Sequence, residues 1–267
     1  MAEEQELLNR VRAYVEEYMN KFDGSHDFSH IKRVVGLAHV IFKGIAASAT
    51  DGDTSSTKPL DPTIITLAAM LHDVGDRKYL KKGQDPTTQV QALLLSFDAD
   101  VKLAAKVQAI CLGVSYTSEI QDPARVRDLI IEYPELAVVQ DADRLDAIGA
   151  VGIGRVFTYG GARTGRDMHE SIDMMDRKLC KIESMMKTEP GRRMASEATR
   201  RLRVFRSWWR DEIGSEETGL CVLGPVAAKE DAPRSRQLNR TPALPPSAGG
   251  TDRHALGETL RRRYSRL

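Results

Sequence analysis

Helical apolar periodicity alternates with short polar breaks along most of this chain. Leu7, Leu8, Val11, Tyr14, Val15, Tyr18, Met19 and Phe22 recur at three- and four-residue spacing, the stripe of an amphipathic helix, and Asp23-Gly24 ends it. Ser25 or Asp27 can cap a second helix over 28–46 by accepting from the free N–H groups of its first turn. The polar run 48–57 is a loop. Asp61-Pro62 starts a third helix, with proline in the first turn, where its missing N–H removes no bond. Ile64, Ile65, Leu67, Ala68 and Leu71 carry that helix to His72-Asp73, and Gly75 ends it. A charged loop over 81–86 is followed by helices at about 87–97, 99–112, 125–132 and 134–148. Gly149, Gly152 and Gly154 are spaced for tight helix contacts, and Tyr159-Gly160-Gly161 is a break. Long helices resume over 171–187 and 191–213, on either side of Glu189-Pro190-Gly191. No stretch alternates convincingly with the two-residue period of a strand. The pattern predicts an all-α fold.

Composition narrows the classes. The 267-residue chain is 41% hydrophobic and 29% charged, which supports a core beneath a solvated surface. Its 39 basic and 38 acidic residues leave a net charge of +1, so no broad nucleic-acid surface and no stable nucleic-acid partner are expected. No apolar run approaches the ~20 residues of a membrane span, and the acidic start MAEEQELLNR does not read as a signal peptide. Cys111, Cys180 and Cys221 are odd in number and lack CxxC spacing, which argues against a disulfide framework and for a reducing, cytoplasmic setting.

Three separated segments carry the residue types of a metal site. Ser25-His26-Asp27-Phe28-Ser29-His30 puts a histidine early on the second helix. Met70-Leu71-His72-Asp73-Val74-Gly75-Asp76 ends the third, and Asp141-Ala142-Asp143-Arg144-Leu145-Asp146 lies on a later one. Imidazole suits transition metals and carboxylate suits hard divalent ions, so a mixed set suits Mn²⁺, Fe²⁺, Co²⁺ or Zn²⁺, and extends to Mg²⁺. In this order the segments resemble the HD superfamily of metal-dependent phosphohydrolases, whose pattern is H…HD…D on a helical bundle. The stretches 25–30, 141–150 and Phe157-Thr158-Tyr159-Gly160-Gly161 are closer still to the small HD hydrolase subfamily of bacterial YpgQ- and YedJ-like proteins. The resemblance covers roughly residues 5–213.

Carried over position by position, the resemblance implies His30, His72, Asp73 and Asp143 as ligands of one divalent metal. Mn²⁺ is favoured, with Mg²⁺, Co²⁺, Ni²⁺, Fe²⁺ and Zn²⁺ as alternatives. The pattern's first histidine precedes Arg-Val, which selects His30 over His26. Its last aspartate follows Ala and precedes a basic residue and Leu, which selects Asp143 over Asp141. Asp73 and Asp76 are the implied catalytic residues. Asp76 acts on the attacking water in that scheme, or else serves as a helix-end turn residue. Arg33, Lys78, Lys82 and Arg144 are candidates for phosphate contacts, Arg33 because it shares a helix face with His30 at i+3. His26 caps its helix or contacts substrate, and Asp146 is spaced to orient a ligand histidine.

The chain also departs from its relatives, which tend to carry a histidine after the helix ending near Cys111. Here 109–117 has none, leaving Ser115 or Tyr116 to line the pocket. No histidine lies between Asp73 and Asp143, so a second metal would lack ligands, which favours one metal and hydrolysis over di-iron oxygen chemistry. The implied activity is hydrolysis of a phosphorylated small molecule, a nucleotide foremost, including cleavage of a nucleoside triphosphate to monophosphate and pyrophosphate. The alternatives are a phosphatase or phosphodiesterase for another phosphometabolite, and a non-catalytic metal- or nucleotide-binding module.

From about Gly214 the apolar periodicity is lost, and five of the 11 prolines follow. The reading is an HD domain over 1–214 and a disordered tail over 215–267. The terminal Ser265-Arg266-Leu267 is a variant of the Ser-Lys-Leu signal and implies a peroxisomal import receptor if the source is eukaryotic. Oligomeric state is not legible.

Overall fold

Residues 2–49, 58–75 and 85–224 are described by the computed structural model of the chain. Most of the 48–57 loop, the candidate residues Asp76, Lys78 and Lys82, and the tail with Ser265-Arg266-Leu267 lie outside the described residues. The chain divides into two units, Met1–Glu216 and Glu217–Leu267. Of the second, only 217–224 are described, and residues 217–223 are helical. The account below concerns the first unit.

The expected helices form, with shifted ends, and no strand occurs among the described residues. In α1 (Ala2–Met19) the buried Leu7, Val11, Val15 and Met19 sit at four-residue intervals. In α2 (Phe28–Ala49) Ile31, Val34, Ala38 and Ile41 face the core. Asp61 caps α3 (Pro62–Leu71) by accepting from the N–H groups of Thr63 and Ile64. Of the residues Ile64–Leu71 only Thr66 escapes burial, so α3 is apolar all round and runs through the middle of the core. Helices α4 (Gln89–Ser96), α5 (Val101–Val114) and α7 (Pro123–Glu132) pack on one side, α4 and α7 both against α5. On the other stand α9 (Gly149–Tyr159), α10 (Met168–Arg177) and α11 (Glu189–Ile213). No described helix is long and apolar enough to cross a membrane.

Between these groups lies α8 (Glu135–Asp146), whose sequence is polar and whose position is central. Glu135, Gln140, Asp141, Arg144 and Asp146 are all buried. A buried polar group costs stability unless it is hydrogen-bonded, and each of these residues finds a partner outside α8, though among the described residues Glu135 Oε2, Gln140 Oε1 and Arg144 Nε stay without one. Glu135 accepts from Lys106 Nζ of α5 at 2.8 Å and from the backbone of Asp61. Gln140 donates to the Gly113 carbonyl at 2.7 Å. Asp141 accepts from the backbone of Lys187 and Thr188 and from the Thr188 hydroxyl, which caps α11. A Cβ on Gly191 would overlap Asp141 Oδ2, so only glycine lets α11 start this close to α8.

Three elements differ from the sequence expectation. A short helix, α6 (Tyr116–Gln121), forms where none was expected; it buries no side chain and so carries no apolar stripe. The expected break at 159–161 is a wide π-helical turn, Gly160–Thr164, that continues α9. The expected single helix over 171–187 is α10 followed by a 3₁₀ segment, Leu179–Met185. Its buried Ser171, Met175, Leu179 and Ile182 suit one unbroken helix equally well, which hides the break from the sequence.

The clustered glycines separate into distinct cases. A Cβ on Gly152 would overlap the carbonyl oxygen of Ala147, whereas one on Gly154 would meet nothing within 4 Å. Gly152→Ala is expected to lower stability by about 1–3 kcal/mol, because backbone must move to admit the methyl. Gly154→Ala in the same helix is expected to raise it by about 0.5–1 kcal/mol. Chemical denaturation of the two variants checks both signs.

Candidate metal centre

Helix ends bring the candidate ligands together. Asp27 accepts from the His30 N–H at 3.1 Å, setting His30 in the first turn of α2. His72 and Asp73 follow the last residue of α3, in a turn closed by Gly75 at φ +83, a conformation that favours glycine. Asp143 projects from α8. His30 Nε2 and His72 Nε2 lie 3.3 Å apart. Asp73 Oδ2 is 3.3 Å from the first and 3.5 Å from the second. Asp143 Oδ1 is 3.7 Å from each. Two ligands about 2.1 Å from one metal, at tetrahedral or octahedral angles, sit about 3.0–3.4 Å apart, so His30, His72 and Asp73 are spaced nearly as around a single ion, with Asp143 a little further out.

The hydrogen bonds behind the ring nitrogens give the same answer. His30 Nδ1 lies 2.8 Å from Asp146 Oδ2, and His72 Nδ1 lies 2.9 Å from the Ala69 carbonyl. Both partners are acceptors, so each Nδ1 carries the proton and each Nε2 turns a lone pair inward. Asp73 Oδ2 is buried without a well-formed hydrogen bond. With both rings neutral, two nitrogen lone pairs and a carboxylate oxygen converge, an arrangement that calls for a cation: a proton in the metal-free chain, or a metal ion in its place. Burial alone would push the His72 pKa down, but Asp73 and Asp143 outweigh it and push it up to about 9. Burial also opposes ionising Asp73 and Asp143, yet the histidines hold both carboxyls below the usual range.

Asp146 ties this centre to its surroundings. Besides His30 it accepts from Arg33 Nε at 2.6 Å and from Arg155 Nη1 at 2.9 Å. Burial raises its pKa, and the His30, Arg33 and Arg155 contacts more than reverse this. The ligand atoms open into a cavity of about 140 Å³ whose wall includes His26, Ser115, Tyr116, Arg144, Arg155 and Lys178.

Each candidate among the described residues has a definite place. His26 lines the cavity, its Nδ1 2.7 Å from Ser25 Oγ and its ring edge-on to Tyr159, while His30 lies among the ligand atoms. Asp141 sits away from the histidines, on the start of α11. Arg33 lies on Asp146 rather than on the cavity wall. Arg144 lines the cavity, with its guanidinium paired to Glu119 and donating to the Met185 carbonyl. Sequence reasoning missed Arg155 and Lys178. Arg155 falls among glycines read for packing alone, and Lys178 lies at the hidden break after α10, with its ammonium 4.4 Å from the Tyr116 ring centre.

Comparison with known proteins follows this geometry. No family model matches the chain. The YpgQ protein of Bacillus subtilis is 29% identical over 194 residues, spanning 70% of this chain and 84% of that one. The crystal structure of B. subtilis YpgQ in complex with ADP has a TM-score of 0.60 at 27% identity, covering 79% of this chain and 97% of that chain. An HD-superfamily hydrolase from Bacillus thuringiensis has a TM-score of 0.54 at 26% identity, covering 78% and 97%. Helical fold and ligand cluster together match the HD-domain pattern. These likenesses make the chain similar in sequence and fold to YpgQ and similar in fold to an HD-superfamily hydrolase.

Two expectations follow. Asp146→Asn keeps every candidate ligand but weakens the hold on His30 Nδ1–H. Metal affinity should fall about 10–100-fold, read by competition with a chromophoric chelator. The second concerns protons. With its pKa raised to about 9, His72 in the metal-free chain is protonated at neutral pH. The stabilisation from its pairing with Asp73 and Asp143 is fully present below about pH 6.5 and fades as pH rises through about 9. Metal takes the place of that proton. Its uptake at pH 7 should release about one proton per chain, with affinity rising toward pH 9. Calorimetry in buffers of differing ionisation enthalpy measures this directly.

Proposed function

We propose that the chain is a metal-dependent phosphohydrolase of small phosphorylated molecules, nucleotides foremost, cleaving a nucleoside triphosphate to monophosphate and pyrophosphate. One observation carries the reading: the inward lone pairs of His30 and His72 meet the orphaned Asp73 oxygen and Asp143 at the edge of a cavity. The ADP held by YpgQ, a protein of similar fold, supports a phosphorylated ligand.

His30, His72, Asp73 and Asp143 would hold the metal. A divalent cation there supplies Lewis-acid charge at a phosphoryl oxygen and acidifies a water. The remaining work falls to this chain's own groups. Asp146 and the Ala69 carbonyl fix the two rings, so no reorganisation is needed as the substrate arrives. Arg144, Arg155 and Lys178 line the wall that a polyphosphate faces, and their positive charge offsets charge developing on the leaving group. Ser115 and Tyr116 form the wall where a histidine was expected in relatives. Asp76, three residues past Asp73, is the candidate for handling the attacking water.

Asp73→Ala is expected to abolish tight metal binding and to lower turnover by about 10²-fold or more. A panel of phosphometabolites with Mn²⁺, Mg²⁺, Co²⁺ or Ni²⁺, followed for both phosphate and pyrophosphate, checks the reaction. Full activity in Asp73→Ala would sink the assignment, and phosphate release without pyrophosphate would turn it toward a phosphatase.

A further inference from the structure

Beside the metal cavity lies a larger cleft of about 390 Å³, and the two share His72, Ser115 and Thr117 as a common wall. The cleft's inner surface includes Pro86, Cys111 and Leu112, and its outer side carries Ser118, Gln121 and Arg125. The short helix α6 therefore stands between them. Its start faces the metal cavity, and its Thr117, Ser118 and Gln121 face the cleft.

The cleft is built from anchored elements. Glu119 fastens α6 to the scaffold through Arg144 of α8 and through Lys187 Nζ at 2.8 Å. Across the cleft, Gln108 accepts from the Val90 and Gln91 N–H groups at 2.9 and 3.1 Å. It also donates to the Pro86 carbonyl at 3.4 Å, fixing that side to α5.

Size and lining divide the labour. A volume of 140 Å³, close to that of a cavity that holds one benzene-sized molecule, has room for phosphate groups and water but not for a whole nucleotide. A volume of 390 Å³ falls within the range of about 300–1,000 Å³ typical of sites for organic ligands. Its apolar inner surface suits the face of a ring, and its outer amide and hydroxyl groups suit a ring's polar edge. The exposed Arg125 guanidinium is planar and able to lie against an aromatic system.

We propose that this cleft holds the base and sugar of a nucleotide whose phosphates lie at the metal, and that α6 with Arg125 determines which nucleoside is accepted. The proposal rests on the phosphohydrolase reading for the direction in which the substrate lies.

The test is calorimetric binding to the Mn²⁺-loaded full chain, with ADP and inorganic pyrophosphate as probes. Pyrophosphate has no organic part and reports the metal end alone. Wild type is expected to bind ADP more tightly than pyrophosphate. Ser118→Trp, which fills the cleft, should weaken ADP about tenfold or more while pyrophosphate changes less than about twofold. Arg125→Ala, an exposed position that does not threaten folding, should weaken ADP about threefold to tenfold with pyrophosphate again unchanged. Parallel losses for both probes, unaltered ADP affinity in Arg125→Ala, or a wild type that does not prefer ADP would each overturn the proposal. Absence of turnover with every phosphorylated compound, alongside this binding pattern, would count against the hydrolytic reading alone.

Discussion

The fold turns on a polar helix buried at its centre. Helix α8 places charged and amide side chains where most proteins place leucine, and each must recover the hydrogen bonds it loses on leaving water. Satisfying them draws α3 and α5 to Glu135, the end of α5 to Gln140, α11 to Asp141, α6 to Arg144, and α2 with α9 to Asp146. Apolar contacts alone would permit these helices to slide against one another. Directional bonds to a single central rod leave one arrangement.

Asp143 benefits most from this. It lies between Asp141 and Asp146, both immobilised by several donors, so its carboxylate is presented to the histidines from a fixed backbone. The Asp146 contact with His30 adds a second constraint, because it selects the tautomer that turns Nε2 inward. The positive charges of Arg33 and Arg155 help keep that carboxylate ionised despite burial. Packing and chemistry are thus the same set of bonds viewed from two sides.

Much of this was legible in the residue pattern, for identifiable reasons. The stripe Leu7, Val11, Val15 and Met19 is long and regular enough to read as α1, and Asp61-Pro62 marks the start of α3 by chain chemistry alone. The HD-like motifs singled out Asp143 over Asp141, and the structure puts only the former beside the histidines. Illegible features depend on long-range geometry. Helix α6 buries nothing, so no apolar period announces it. Arg144 reads as a phosphate contact when its neighbour is a ligand, and its pairing with Glu119 appears only once α6 exists. Lys178 reaches the cavity because the chain breaks after α10, at a point where the apolar spacing runs on uninterrupted.

The two ends of the site are secured very unequally. The metal end is bound into the core by several buried polar anchors, and altering any of them disturbs two or more helices. Helix α6 is six residues long, contributes no buried side chain, and connects to the rest chiefly through Glu119. Residues such as Thr117, Ser118 and Gln121 can therefore vary without loosening the scaffold. A chain built this way can acquire new substrate preferences through drift on one small surface helix while the chemistry it delivers is inherited unchanged.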